Sequence, residues 1–167
     1  MTSLIIIFLI TGIISGFMAG LLGVGGGIII VPISYFVLLF LDYSPDYAMH
    51  IAIASSLGVI CFTSISSIRS HIKLKNVNFI ILRTWVPGIV LGSIIGSYSA
   101  SIISGDILVN IFICLAFLIA LNMAFQKEPI IISADLPNSK FVNLIISSLI
   151  GFLSVLIGIG GGSFSVP

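Results

Sequence analysis

The sequence predicts an all-α fold, a polytopic bundle of membrane helices, on three observations. Hydrophobic residues make up 59% of the 167 positions, charged residues only 7%, and the mean hydropathy is +1.35. Soluble domains carry about 25% charged residues, so a soluble chain could not bury this much apolar surface. The charges fall almost wholly between apolar segments, and glycine clusters interrupt two of those segments. A net charge of +1 offers no electrostatic basis for binding nucleic acid.

The apolar segments have the lengths of membrane spans. A bilayer core about 30 Å thick needs about 20 helical residues, and Tyr47–Ile68, Phe79–Ala100 and Ile107–Phe125 fit that length. Leu4–Leu41 is about 57 Å long as one helix. It is too long for one upright span and too short for two spans with a turn. The sequence therefore predicts that this first segment is a helix broken near its middle, or a hairpin.

The glycine cluster of the first segment recurs at the end of the sequence. "GFMAGLLGVGGGIIIVP" at Gly16–Pro32 aligns without a gap on "GFLSVLIGIGGGSFSVP" at Gly151–Pro167. This indicates an internal repeat, with a first repeat at 1–126, a cytoplasmic loop at 127–140 and the start of a second repeat at 141–167. The first repeat is much longer than the second, so we expect the chain to be a C-terminally truncated fragment. Parallel and inverted repeats both fit; we favour inversion, because broken transporter helices often pair in that way.

The repeated glycines are the candidate binding site. An unpaired backbone group costs several kcal/mol in hydrocarbon, so irregular chain survives there only inside protein or beside a wet cavity. Pro32 is tolerated in a first helical turn, which predicts a returning half-helix that starts near Val31. Each helix N-terminus carries about half a positive charge, and two of them facing one cavity would suit a small anion. Close helix packing is the alternative explanation for "GVGGG". The candidate substrate-binding residues are Gly23, Gly25, Gly26, Gly27, Pro32, Gly158, Gly160, Gly161, Gly162 and Pro167, with Ser55 and Ser56.

Other glycines and hydroxyls have simpler interpretations. Gly88, Gly92 and Gly96 recur every four residues on one helix face, a pattern typical of helix packing. The span Tyr47–Ile68 carries an unusual number of hydroxyl groups. We expect most of them to bond to their own helix, with lining of a pathway as the alternative.

The basic residues orient the chain. Arg69, Lys73 and Lys75 form one basic loop, which the positive-inside rule places in the cytoplasm, whereas Asp42 and Asp46 lie in a loop without Lys or Arg. This topology fits the inner (plasma) membrane of a cell. The spans contain no carboxylate near their centres, and the sequence offers no metal-ligand cluster and no nucleophile–base pair. We therefore expect neither an enzyme nor a cofactor.

The two glycine motifs, together with "HIAIASSLGVICFTSISSIRSHIKLKNVNF", resemble the TauE/SafE family of membrane proteins, which is associated with export of sulfite and organosulfonates. The resemblance implies a multi-pass carrier or exporter in the bilayer that moves a small anion, such as sulfite or an organosulfonate, with the motif glycines and prolines at matching positions. The family's remaining spans are missing here. Two alternatives stay open, a non-transporting membrane partner and an inert fragment. The sequence does not specify the substrate, coupling ion, direction of transport or oligomeric state.

Overall fold

The structure is a computed structural model that describes residues 2–22, 26–74, 79–125 and 140–160. These residues form six helices and no strand, which confirms the all-α prediction. In chain order the helices are α1 (Thr2–Leu22), α2 (Gly27–Phe40), α3 (Pro45–Lys73), α4 (Phe79–Ile102), α5 (Gly105–Phe125) and α6 (Lys140–Ile157).

Three of the described helices are long and apolar enough to cross a membrane. They comprise Pro45–Lys73, Leu82–Ile102 and Lys140–Ile157, and shorter apolar helical stretches occupy Ile5–Met18, Gly27–Phe40 and Gly105–Leu121. Large apolar side chains remain exposed along the outside, such as Phe17, Phe62 and Ile94. A bilayer would cover these side chains with acyl chains, so their exposure is consistent with a membrane-embedded bundle.

The helices run in two opposed directions. The short connection at 41–44 makes α2 antiparallel to α3. The Gly105 N–H donates to Asp46 Oδ1, so α3 and α5 start at the same end. His50 on α3 lies against the Ala100 carbonyl near the end of α4. The helix α6 is parallel to α4. Three helices therefore run one way, α2, α4 and α6, and two run the other way, α3 and α5.

Glycines let α4 and α6 pack with their backbones close together. An added β-carbon at Gly88 would overlap the Ser147 side chain, and one at Gly92 would overlap the Ser148 backbone. Further along, Gly96 lies against the backbone of Phe152. The positions increase together along both helices, so the two are parallel. The predicted packing role of Gly88, Gly92 and Gly96 is confirmed.

The buried apolar core lies where α2, α3, α5 and α6 converge. Its members are Val31, Met49, Ala52, Ile53, Leu108, Phe112, Leu156, Ile157 and Ile159. Ala52, Leu108 and Ile157 have no solvent exposure. The core therefore surrounds the ends of α2 and α6 that carry the repeated glycines.

The start of α3 is fixed by turn chemistry and by contacts with its neighbours. Ser44 is the N-cap and Pro45 follows it at the first helical position, where the missing N–H costs no hydrogen bond. His50 Nδ1 is 2.6 Å from the Asp46 carbonyl oxygen, and His50 Nε2 is 2.9 Å from that of Ala100. The contact with Ala100 holds the start of α3 against the end of α4.

The far end of α3 corrects one prediction. Arg69 and Lys73 were expected in a loop, but both belong to α3, which continues to Lys73. Basic residues in a last helical turn interact favourably with the negative end of the helix dipole, which lets α3 extend beyond its apolar stretch. Lys75 lies outside the described residues.

Candidate functional site: the glycine junction

The first glycine motif separates α1 from α2. The helix α1 ends at Leu22, and α2 begins at Gly27 with Gly26 as its N-cap. The N–H groups of Ile29 and Ile30 both bond to the Gly26 carbonyl, at 3.1 and 3.0 Å. The prediction that this helix starts near Val31 is therefore wrong. The Gly26 carbonyl already starts the hydrogen-bond ladder, and Pro32 lies inside α2, beyond its first turn.

The second motif ends α6. The Gly158 N–H bonds to the Val155 carbonyl at 3.2 Å, and the Ile159 N–H bonds to the Ser154 carbonyl at 3.3 Å. With φ of +68° at Gly158, this is a Schellman motif, in which a left-handed glycine closes the helix. Gly160 also has a positive φ, of +75°. A side chain at either position would be strained, which explains why glycine is needed here.

The two motifs meet. A β-carbon added to Gly27 would overlap the Gly158 carbonyl oxygen and lie 2.6 Å from Ile159 Cα. Gly27, Gly158 and Ile159 are all buried. Because α2 and α6 run in the same direction, α2 begins at the point where α6 ends. We call this contact between Gly27 and Gly158–Ile159 the glycine junction.

Ser56 of α3 joins the glycine junction from the side. Its hydroxyl donates a 2.6 Å hydrogen bond to the Gly158 carbonyl oxygen, and the side chain has no solvent exposure. Ser56 lies 11 residues after Pro45, about 17 Å along α3. That distance is about half of a 30 Å hydrocarbon core, so the junction is located deep in the apolar part of the bundle.

The helix dipoles at the junction have opposite signs. The start of α2 carries a partial positive charge and the end of α6 a partial negative charge. Hydrogen bonds cover the Ser154, Val155 and Gly158 carbonyl oxygens, which reduces the negative potential that α6 presents. By contrast, the first amides of α2 have no acceptor within their own helix, because the ladder starts at Ile29. Within the part of the chain that the structure describes, the start of α2 therefore presents N–H donors to the junction, while three carbonyl oxygens at the end of α6 are already hydrogen-bonded.

The structure brings together four of the predicted residues, Gly26, Gly27, Gly158 and Ser56. Gly160 packs on another side, where an added β-carbon would lie 3.3 Å from Ile60. Ser55 is exposed on α3 and does not face the junction. Gly23, Gly25, Gly161, Gly162 and Pro167 lie outside the described residues, and so does any half-helix after Gly160.

Two contacts with the motif glycines were not predicted from the sequence. Ile53 packs against Gly158 and Ile60 against Gly160, yet both look like ordinary residues of an apolar span. Two other hydroxyls of this stretch behave as expected, since Thr63 bonds to the Ile60 carbonyl and Ser64 to the Cys61 carbonyl in their own helix. Ser56 is one or two helical turns from Met49, Ala52 and Ile53, which are buried. This helical spacing was the available signal that Ser56 faces inward.

Comparisons with known proteins agree on one family. A family model described as "Sulfite exporter TauE/SafE" matches residues 8–167. A protein of Haemophilus influenzae is 34% identical over 169 residues, which cover 100% of this chain and 63% of that protein. A Bacillus subtilis protein, YunE, is 31% identical over 179 residues, covering 97% of this chain and 66% of its own.

A third relative, from Methanocaldococcus jannaschii, is 36% identical over 172 residues, covering 96% of this chain and 60% of its own. All three relatives are named probable membrane transporter proteins. The chain therefore spans somewhat less than two thirds of the length of each of these relatives. No solved structure matches it.

Proposed function

Because the chain belongs to the sulfite exporter TauE/SafE family, we propose that it acts as a multi-pass secondary transporter of the plasma membrane, with a small anion bound at the glycine junction. One observation carries the proposal. Gly27 and Gly158, which come from the two copies of one sequence motif, are in backbone contact deep in the bundle. Irregular backbone at that depth is tolerated only inside protein or beside a cavity, and transporters place substrate sites at such breaks.

The charge and polarity of the junction support an anionic substrate. The first amides of α2 point out of its N-terminus, and backbone N–H groups at a helix N-terminus are a common anion site. Hydrogen bonds cover carbonyl oxygens at the end of α6, so this end repels an anion less. The described aspartates, Asp42, Asp46 and Asp106, lie in or next to the first turns of α3 and α5, away from Ser56.

Within the anions, we favour sulfite or an organosulfonate. The family description names sulfite, and the oxygens of sulfite and sulfonate groups accept hydrogen bonds without donating them when the groups are ionised. A cluster of backbone amides matches that pattern, because amides donate only. No Lys or Arg is then needed near the membrane centre, which agrees with the positions of these residues at the helix ends.

Flux measurements test the proposal. The purified chain is reconstituted in liposomes, and uptake of radiolabelled sulfite and methanesulfonate is measured under an imposed pH or sodium gradient. We expect uptake above that of protein-free liposomes for at least one of the two anions. Absence of flux for both anions, in vesicles whose protein is shown to be folded and inserted, would contradict the proposal.

A matched pair of glycine variants tests whether anion flux depends on the glycine junction. Gly27→Ala places a methyl group against the Gly158 carbonyl and should reduce uptake at least about tenfold, since the two breaks could no longer touch. Gly20→Ala, on α1, places a methyl group where nothing lies within 4 Å and should leave uptake unchanged. Equal uptake by the two variants, at matched insertion, would show that the junction is not the transport site.

A further inference from the structure

Basic side chains gather at one end of the bundle. We define the basic end as the end at which α3 finishes and α4 and α6 start. Four of the six Lys and Arg residues of the sequence are described there, namely Arg69, Lys73, Arg83 and Lys140. Arg69 and Lys73 are one helical turn apart on α3. Lys140 is the first residue of α6, and Arg83 is the fifth residue of the adjacent helix α4, just beyond its first turn. All four side chains are exposed.

These four cations have no acidic partner within the described part of the chain. The described carboxylates, Asp42, Asp46 and Asp106, lie at the opposite end, where α3 and α5 start. The helix α3 alone separates the two ends by about 43 Å. The segment between α5 and α6, which contains Lys127, Glu128 and Asp135, is outside the described residues. Among the described residues, the basic end therefore carries positive charge on α3, α4 and α6 with no carboxylate at the same end.

We infer that the basic end binds the headgroups of anionic phospholipids, through Arg69, Lys73, Arg83 and Lys140. Each of these residues lies at, or about one turn from, the end of an apolar helix, and from there a long side chain reaches the headgroup region while its stem stays in the hydrocarbon. Basic residues next to a membrane span attract anionic lipid, and the attraction falls within a Debye length. The inference does not depend on transport; it requires only that the helices span a bilayer.

The single tryptophan of the sequence lies near the basic end. Trp85 is two residues after Arg83 on α4, and it is partly buried. Lipids with brominated acyl chains quench the fluorescence of a tryptophan when they occupy adjacent sites. Replacing a growing fraction of the bilayer with brominated phosphatidylglycerol or brominated phosphatidylcholine therefore gives the binding constant of one lipid relative to the other. The measurement uses the intact chain and needs no label on the protein.

We expect phosphatidylglycerol to be preferred about fivefold over phosphatidylcholine, with the preference decreasing at high salt. The combined variant Arg69→Gln, Lys73→Gln, Arg83→Gln, Lys140→Gln should lower the ratio to about one. Asp42→Asn removes one charge at the opposite end, and asparagine tolerates the positive φ of 63° found there. This control should keep the original ratio. A ratio near one in the unaltered chain, or the same preference in the combined variant, would overturn the inference.

Two further measurements separate lipid binding from binding of a soluble anion. In the first, the lipid preference is measured in added inorganic phosphate and, separately, in added sodium chloride at the same ionic strength. Equal loss of the preference in the two salts supports a lipid surface, whereas selective loss in phosphate would overturn the inference in favour of a phosphate site. Sulfite uptake by the combined variant is then compared in pure phosphatidylcholine vesicles. Unchanged uptake there supports the lipid role, and a large loss would assign the cations to the transported solute instead.

Discussion

The Ser56 hydroxyl and the Gly158 carbonyl oxygen are 2.6 Å apart, although 102 residues separate them in the sequence. Gly158 is the left-handed residue that ends α6, and Gly27 of the other motif lies against the same carbonyl. One oxygen therefore receives a hydrogen bond from α3 and contacts the first residue of α2. Because Ser56 has no solvent exposure, neither water nor lipid can replace its hydrogen bond. This arrangement makes Ser56 a positioning residue that holds the break in α6 in place.

Ser56→Ala should destabilise the chain. It removes the hydroxyl and leaves the buried Gly158 carbonyl without this donor, which costs about 1–3 kcal/mol. Ser64→Ala is the matched control, since Ser64 bonds within its own helix to the Cys61 carbonyl; it should change stability by less than about 0.5 kcal/mol. Denaturant unfolding in micelles gives both values. Equal effects would show that the bond between α3 and α6 contributes nothing beyond a bond within one helix.

Gly92→Ala should separate α4 from α6. The new methyl group would overlap the Ser148 backbone, and such overpacking costs about 1–3 kcal/mol. Gly58→Ala on α3 meets nothing within 4 Å, so the higher helix propensity of alanine should stabilise it by up to about 1 kcal/mol. The two substitutions should therefore have opposite signs in the same unfolding assay. A stabilising Gly92→Ala would contradict the close packing of the two helices.

Asp46→Ala should loosen the start of α5. The Asp46 carboxylate accepts the Gly105 N–H at 2.7 Å, which caps α5 from another helix, and loss of a capping side chain costs about 1 kcal/mol. Hydrogen exchange at the Gly105 amide should become roughly fivefold faster. Asp106→Ala removes a neighbouring exposed charge from the first turn of α5 and should leave the Gly105 amide protected. If the Gly105 amide exchanges equally fast in both variants, the loss of a negative charge, rather than of the Asp46 cap, explains the faster exchange.

The inverted orientation of the repeats remains a prediction. If the repeats are inverted, α1 enters the membrane from the side on which α2 finishes. Met1 then lies on the same side of the membrane as Asp42. A reporter whose activity depends on the compartment is fused at Met1 and, in a second protein, inserted after Asp42. We expect the same compartment for both positions, and opposite compartments would establish parallel repeats. A third reporter at Leu74, at the end of α3, should report the other side.

The sequence correctly predicted those features of the fold that depend on a local pattern of residues. Apolar length located the helices, and the four-residue spacing of Gly88, Gly92 and Gly96 identified a packing face. Ends of helices were harder to predict. The structure starts α2 at Gly27 and continues α3 to Lys73, because backbone hydrogen bonds and dipole interactions at helix ends are not visible in hydropathy.

By itself the sequence determined that the chain is a set of apolar helices with two copies of one glycine motif. Hydropathy and residue spacing suffice for this, since every backbone group in a membrane must be paired within a helix or shielded by protein. Only the tertiary structure decided that Gly27 lies against Gly158, that Ser56 rather than Ser55 bonds there, and that α6 is parallel to α4. These are contacts between residues far apart in the chain, and they depend on how whole helices pack. Helical spacing can indicate that Ser56 faces inward, but no local pattern of residues identifies its partner or the other contacts.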